Sequence, residues 1–327
     1  MKKKYFFMAA MTLLLFTACT EELENYDREK QDNISFSLGE VADMTASRGT
    51  RGTSVTSALQ ISTFGVSAGV HSSGTYATNP CGNFFYCIEA TPTVDTGYSW
   101  PTSEYTISFY AYYPYGNTNL TVSSSSGNGL PTYSYSVPQT VSTQADVMTA
   151  QILERSCSNT ETVALTFGHR CSDIRFIAYN QQSDALTVKS ISIYGVKYEG
   201  TWQSGTAWSL TGSANSSSSH PFTLSLNTNV ASKATVDLTG TSDHFIMLPQ
   251  TVATGTDMFV ITTLEDSETR TYTYTLPSPL TWEMGKSYTY TLTLGNGTLT
   301  VNPVSVVDWE PISTVTNGFS VTDWQAQ

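Results

Sequence analysis

Apolar and polar residues alternate with period two along most of this chain. Tyr288, Tyr290, Leu292 and Leu294 fall on one side of a segment whose other side carries Thr289, Thr291 and Thr293. Phe222, Leu224 and Leu226 alternate with Thr223 and Ser225, and Val163, Leu165 and Phe167 alternate with Ala164 and Thr166. Ile174, Phe176 and Ala178 repeat the pattern. A two-residue period puts successive side chains on opposite faces of a pleated strand, so these segments predict sheets with one buried face. Gly- and Ser-rich stretches at 123–129 and 212–219 break the alternation and predict turns or loops. No stretch carries a long helical period. Many short strands between turn signals predict an all-β fold of sandwiches or barrels.

Composition agrees. Charged residues make up 13% of the chain and aromatics 12%, with Ser, Thr and Tyr filling the positions that Lys, Glu and Ala hold in helical proteins. A length of 327 residues suits about two domains. The polar stretch 158–162, just before the Val163 strand, is the natural boundary. Val137-Pro138-Gln139-Thr140-Val141 recurs as Leu248-Pro249-Gln250-Thr251-Val252. This echo hints at two related units, with each proline at a strand edge or end where no ladder donor is needed.

The first residues depart from the β pattern. Lys2, Lys3 and Lys4 form a basic start, Tyr5 to Phe16 an apolar run, and Phe16-Thr17-Ala18-Cys19 sets small residues before a cysteine. The run is too short for an ordinary membrane span and fits a signal peptide. A small-small-Cys ending suits lipoprotein processing, making Cys19 the lipidated N-terminus, although Phe16 stands where Leu is commoner. The alternative is a plain secretory peptide that happens to contain Cys19. Acyl chains would anchor the protein to a membrane without spanning it. Glu21, Glu22, Glu24, Asp27 and Glu29 follow, which reads as a solvated tether. The net charge is −12. A chain this acidic repels phosphate backbones, which argues against a nucleic-acid partner.

Little in the sequence points to catalysis. The four histidines, at 71, 169, 220 and 244, stand apart from one another. His169 ends a predicted strand and reads as a packed or capping residue. There is no HExxH or phosphate-binding glycine loop. Asp95-Thr96-Gly97 has no second copy and predicts a turn. No cofactor is expected. Besides Cys19 there are Cys81, Cys87, Cys157 and Cys171. In an exported protein they could form two local disulfides, 81–87 and 157–171; the other reading is four buried free thiols. Neither pair has zinc-site spacing, so no metal is expected. Alternating rings in Phe109-Tyr110-Ala111-Tyr112-Tyr113-Pro114-Tyr115 could stack on sugars, or fill a core on one face and cover a partner on the other. The second reading is preferred.

Taken in order along the chain, these pieces resemble the fimbrillin family, the type V pilus subunit lipoproteins of Bacteroides-type bacteria. They are the Cys19 lipobox, Ile34-Ser35-Phe36-Ser37 leading to Arg48 and Arg51, Tyr105 to Pro114, and Ala145-Asp146-Val147-Met148-Thr149-Ala150. Val163-x-Leu165-x-Phe167-x-His169, Leu248-Pro249-Gln250 and Trp282-x-x-Gly285-x-x-Tyr288-x-Tyr290 follow. The cysteines at 81, 87, 157 and 171 lie outside that pattern.

The resemblance implies two transthyretin-like β-sandwich domains after a lipoprotein signal peptide. The divisions would be a signal peptide over 1–18, an acidic tether with a removable N-terminal strand over 19–52, an N-terminal sandwich over 53–160, and a C-terminal sandwich with an extended tail over 161–327. It implies that the acidic residues after Cys19 mark export to the outer cell surface, and that an Arg-specific protease cuts near the N-terminus. Arg48 and Arg51 sit in a small-residue stretch with two glycines and are the candidate sites; a linker whose arginines carry no role is the other reading. Losing the strand around Ile34 to Leu38 would open a groove for a neighbouring subunit's strand. Val304, Val306, Phe319, Val321 and Trp324 are candidate donor residues. The implied product is a surface fimbrium that serves adhesion, with other pilus subunits, an outer-membrane lipid anchor and a host protein or glycan receptor as partners. The alternatives are an outer-surface glycan-binding lipoprotein and a structural lipoprotein that never polymerises. Cys19 is testable first: metabolic labelling with a palmitate analogue should tag the wild type and not Cys19→Ala, and equal labelling of both would reject the anchor.

Overall fold

The computed structural model describes residues 32–38, 60–72, 82–124, 130–302 and 305–309. In chain order, the strands of the first half are β1 (Asn33–Ser37), β2 (Phe64–Ser72), β3 (Gly82–Ala90), β4 (Asp95–Ser99), β5 (Tyr105–Tyr113), β6 (Leu120–Ser124), β7 (Pro131–Ser136) and β8 (Met148–Ser156). Next come β9 (Val163–Ala164), β10 (Gly168–His169), β11 (Ser172–Asn180), β12 (Leu186–Ile193), β13 (Glu199–Gln203), β14 (Ser209–Thr211), β15 (Phe222–Val230) and β16 (Thr235–Asp237). The last are β17 (Phe245–Met247), β18 (Gln250–Val252), β19 (Asp257–Glu265), β20 (Glu268–Thr275), β21 (Leu280–Trp282), β22 (Lys286–Gly295), β23 (Thr298–Val301) and β24 (Ser305–Asp308). The fold is all-β, as the alternation predicts.

Two hydrophobic cores form. The smaller lies between a three-stranded sheet, β4-β1-β9, and a five-stranded sheet, β10-β8-β5-β2-β3. Phe36 of the first sheet meets Phe64 and Phe109 of the second edge-on, with ring centroids 5.8 and 5.3 Å apart, a favoured aromatic geometry. The larger core lies between a sheet running β16-β11-β22-β23 and a four-stranded sheet, β15-β12-β19-β20. Phe176, Phe259 and Tyr290 meet at its centre, with centroid separations of 4.9 to 5.7 Å. β11 and β22 pair in parallel there, setting Ile174, Phe176 and Ala178 opposite Tyr288, Tyr290 and Leu292, all buried in this core.

A further four-stranded sheet, β14-β13-β7-β6, draws two strands from each side of positions 158–162. Its Leu120, Tyr133 and Tyr135 belong to the larger core, and so does Tyr112 of β5. β5 therefore divides its side chains. Ile107, Phe109 and Ala111 enter the smaller core, while Tyr112 turns outward to Tyr133, 6.1 Å away. The aromatic run is buried on both faces, in keeping with core and cover and not with an open sugar platform. Pro138 and Pro249 each follow a strand end, after β7 and β17, as the repeated pentapeptide predicts.

One expectation is corrected here. Asp95-Thr96-Gly97 is not a turn: it opens strand β4. Gly97 adopts a φ of 81°, which supplies the irregularity that glycine permits, and the Thr96 hydroxyl donates to the Ile34 carbonyl at 2.9 Å.

Gly65 of β2 pairs with Tyr112 of β5, and the tyrosine ring lies over it, so a Cβ at 65 would overlap the ring. Gly65→Ala should force Tyr112 off the Tyr133 ring and destabilise the protein by about 1–3 kcal/mol, the usual cost of overpacking. A lower urea midpoint at constant slope is the expected reading. An unchanged or raised midpoint would show that the ring does not need that approach.

Candidate functional site

The site is the seat of the first strand. In Asn33-Ile34-Ser35-Phe36-Ser37-Leu38 the apolar residues alternate, so an extended chain turns Ile34, Phe36 and Leu38 to one side. Ile34 and Phe36 are 0% exposed and Leu38 is 3% exposed, all within the smaller core. Burying side chains of this kind is worth about 1.5–3 kcal/mol each.

The backbone of β1 is satisfied on both edges. It pairs antiparallel with β4, Asn33 opposite Ser99 and Ser35 opposite Asp95, and parallel with β9, Phe36 opposite Val163 and Ser37 opposite Ala164. The Thr93 amide donates to the Phe36 carbonyl at 2.8 Å, and the Leu165 amide to the Ser37 carbonyl at 2.9 Å. β1 is thus the middle strand of its sheet. Taking it away would separate β4 from the two-residue β9, expose their edges and uncover Phe64, Phe109 and Phe167 in the core beneath. A slot with hydrogen-bonding edges and an apolar floor accepts another extended strand of matching alternation.

The last described strand is held differently. β24 pairs antiparallel with β22, from Ser305 opposite Thr289 to Asp308 opposite Lys286, and Lys286 and Asp308 form an ion pair. Its side chains face outward, with Val306 50% and Val307 57% exposed. The next residue, Trp309, is buried and stacks on the His169 ring at 3.9 Å, with 7° between the planes. The Trp309 amide donates to the Gly285 carbonyl at 2.8 Å. His169 Nδ1 in turn lies 2.9 Å from the Asp146 carboxylate. Trp309 therefore joins the larger core, through Gly285, to β10 of the five-stranded sheet.

Of the residues singled out by sequence, Val306 lies in β24. Cys19, Arg48, Arg51, Cys81, Val304, Phe319, Val321 and Trp324 lie outside the described residues. Cys157 and Cys171 do not pair with each other: both are buried free thiols, Cys157 in the smaller core and Cys171 in the larger. The separation of the two cores replaces the local loop that the 157–171 spacing suggested. Burial pushes the Cys157 thiol up to about 11 and raises the Cys171 thiol further. Cys87 is a half-buried free thiol, 3.8 Å from the Ser67 hydroxyl. Among the described residues, no group of three or more His, Cys, Asp or Glu side chains could hold a metal ion. Sequence reasoning missed Trp309. Its signal was present in the position of an aromatic directly after the strand pattern Val304, Val306.

Residues 47–309 match the family model described as fimbrillin-like. No curated protein sequence matches the chain. Among solved structures, a candidate cell adhesion protein from Bacteroides uniformis superposes with a TM-score of 0.52 at 16% identity, covering 87% of this chain and 100% of its own. A candidate cell adhesion protein from Bacteroides ovatus gives 0.50 at 17% identity, over 86% of this chain and 98% of its own. At these identities the likeness shows a shared fold.

The thiol geometry is testable in a Cys19→Ala/Cys81→Ser protein. Cys87 should react with a maleimide in the native state, while Cys157 and Cys171 should react only in denaturant. A Cys157–Cys171 disulfide found by non-reducing mass spectrometry would contradict the two-core placement.

Proposed function

Because the chain belongs to the fimbrillin-like family, we propose that it is a fimbrial subunit that reaches the cell surface as a lipoprotein and is assembled by protease-triggered donor-strand exchange. The observation that carries this reading is β1. It is the first described strand, it is the middle of its sheet, and it contributes Ile34, Phe36 and Leu38 to the smaller core. Arg48 and Arg51 lie between β1 and the rest of the fold in sequence, so cleavage at either would leave β1 held by non-covalent contacts alone. The vacated slot would take a strand from a neighbour. Since donor and acceptor are different surfaces of the subunit, such contacts repeat without closing and build a filament.

The C-terminal segment is the proposed donor. Val306 is half exposed in an edge strand, and Val304, Phe319, Val321 and Trp324 extend the apolar series. On this reading the sandwiches span 53–160 and 161–327, with β9 and β10 reaching back into the smaller core and β6 and β7 forward into the larger, after the signal peptide over 1–18 and the tether over 19–52. Cys19 would carry the lipid in the outer membrane before assembly. The partners are other subunits, an Arg-specific protease and a host protein or glycan receptor, and the role is surface adhesion with no catalysis. The burial of the β5 aromatics favours this over a glycan-binding platform.

The test treats the purified precursor with an Arg-specific protease and compares it with an Arg48→Ala/Arg51→Ala double variant. The cut wild type should form heat-sensitive ladders on gels while the variant stays monomeric. Soluble monomer alone from the cut protein, under all conditions, would reject strand exchange as its means of self-assembly.

A further inference from the structure

The segment between β8 and β9 runs alongside β1, in the same direction, and touches it from one end to the other. The Thr160 hydroxyl donates to the Asp32 carboxylate at 3.1 Å, just before β1 begins. The Thr162 and Ser35 hydroxyls are 3.0 Å apart at its middle. Val163 and Ala164 pair with Phe36 and Ser37, and the Leu165 amide reaches the Ser37 carbonyl, at its end. Residues 157–165 therefore form a strap along one edge of the strand. Its near end is tied down separately, by the Cys157 amide donating to the Tyr105 carbonyl at 3.0 Å.

One side chain sets the shape of this strap. Arg155, near the end of β8, lays its guanidinium over the Trp100 ring, with Cζ 4.9 Å from the centroid. Trp100 is 1% exposed, follows β4, and donates its amide to the Asp32 carbonyl at 3.2 Å. From that position Arg155 donates Nε to the Asn159 carbonyl at 3.2 Å and Nη2 to Asn159 Oδ1 at 2.9 Å. Nη2 also reaches the Glu161 carbonyl. Asn159 Oδ1 accepts the Glu161 amide as well, at 3.1 Å. The planar fork of an arginine can hold several acceptors in one fixed arrangement while stacking on an aromatic face; a lysine cannot.

We propose that Arg155 is a positioning residue, holding the 157–162 strap along the edge of β1 and so setting how readily β1 leaves its seat. The inference deepens the reading of β1 as a removable strand, and it rests on that reading only for its biological use. The physical argument is local. The strap contacts β1 through two hydroxyl bridges and a two-residue parallel pairing, none of which is strong alone. Held in one conformation by Arg155, they act together. Released, the segment from Ser158 to Thr162 keeps only its own turn contacts and must be ordered anew each time β1 docks. Trp100 links the two sides of the clasp, because it supports the guanidinium and caps the Asp32 end of β1.

Amide hydrogen–deuterium exchange on the uncut full-length protein tests this without any assembly step. Arg155→Met keeps an unbranched side chain for the Trp100 face and removes the fork. It should speed exchange in the peptide covering β1 by about tenfold or more, equivalent to about 1.4 kcal/mol of local opening. Peptides covering β11 and β22 in the larger core should stay as in the wild type. Arg155→Lys should fall between the two, since its ammonium cannot hold both Asn159 and Glu161. Exchange of β1 within twofold of wild type would overturn the proposal, and so would equal acceleration in every peptide. If Arg155→Met fails to fold, Asn159→Ala serves in its place. It removes the shared acceptor, leaves the stack on Trp100, and carries the same expectation and the same refutation. Selective loosening of β1 in a protein that never forms ladders after cleavage would keep the Arg155 assignment and reject the assembly reading. Ladders with no selective loosening would do the reverse.

Discussion

The smaller core depends on one strand filling one slot. β1 supplies the middle of the sheet β4-β1-β9 and three fully or nearly fully buried side chains. Phe36 touches Phe64 and Phe109 of the opposite sheet, so it spans the sandwich. β4 has mostly exposed side chains and β9 has two residues. Neither has an inward face large enough to cover the five-stranded sheet without β1 between them. The larger core has no such dependence on a single strand. Its two sheets meet through β11, β22, β12 and β19, each long and paired on both sides. The protein thus combines one self-sufficient core with one whose completeness rests on a short segment near the start of the chain.

β5 connects the two. Because it buries both faces, the sheet β14-β13-β7-β6 is packed against the back of the smaller sandwich as well as against the larger core. Tyr112, Tyr133 and Trp202 form a line of rings, ending where the Arg170 guanidinium lies 4.8 Å from the Trp202 centroid. Trp309 stacked on His169 adds a second bridge. Charged groups inside the structure are met by partners. Burial alone would raise the Asp173 carboxyl, but His244 and Arg175 outweigh it and hold that group below its ordinary value. Buried networks satisfied in this way fix one arrangement of strands among several that hydrophobic contact alone would allow.

Strand faces were legible from the sequence, and strand partners were not. The alternations at 163–167, 174–178 and 288–294 give buried residues at the apolar positions and exposed or half-buried ones between, and in 222–226 Phe222 and Leu224 are buried while Leu226 is half-buried. Period two reports which side of a strand is wet; it carries no information on which other strand lies beside it. So the pairing of β1 with β9, the union of β6 and β7 with β13 and β14, and the entry of Asp95-Thr96-Gly97 into a strand all escaped notice. The cysteine spacing misled for a related reason. Closeness in sequence suggested a loop between Cys157 and Cys171, yet the chain passes from one core to the other in that interval. Arg155 could not be read at all, because its acceptors are backbone atoms of a turn whose shape appears only in the fold.

The distance along the chain between β1 and β9 has a temporal consequence. The Phe36 carbonyl and side chain are ready early in synthesis, but Val163, their parallel partner, emerges more than a hundred residues later. A chain threaded across a membrane N-terminus first therefore presents Ile34, Phe36 and Leu38 to water, or to whatever receives them, well before their seat exists. Closing a loop of that length costs entropy before any contact repays it, and long-range pairings of this kind form slowly. Among the described strands, the first apolar one is the one that waits longest for a partner.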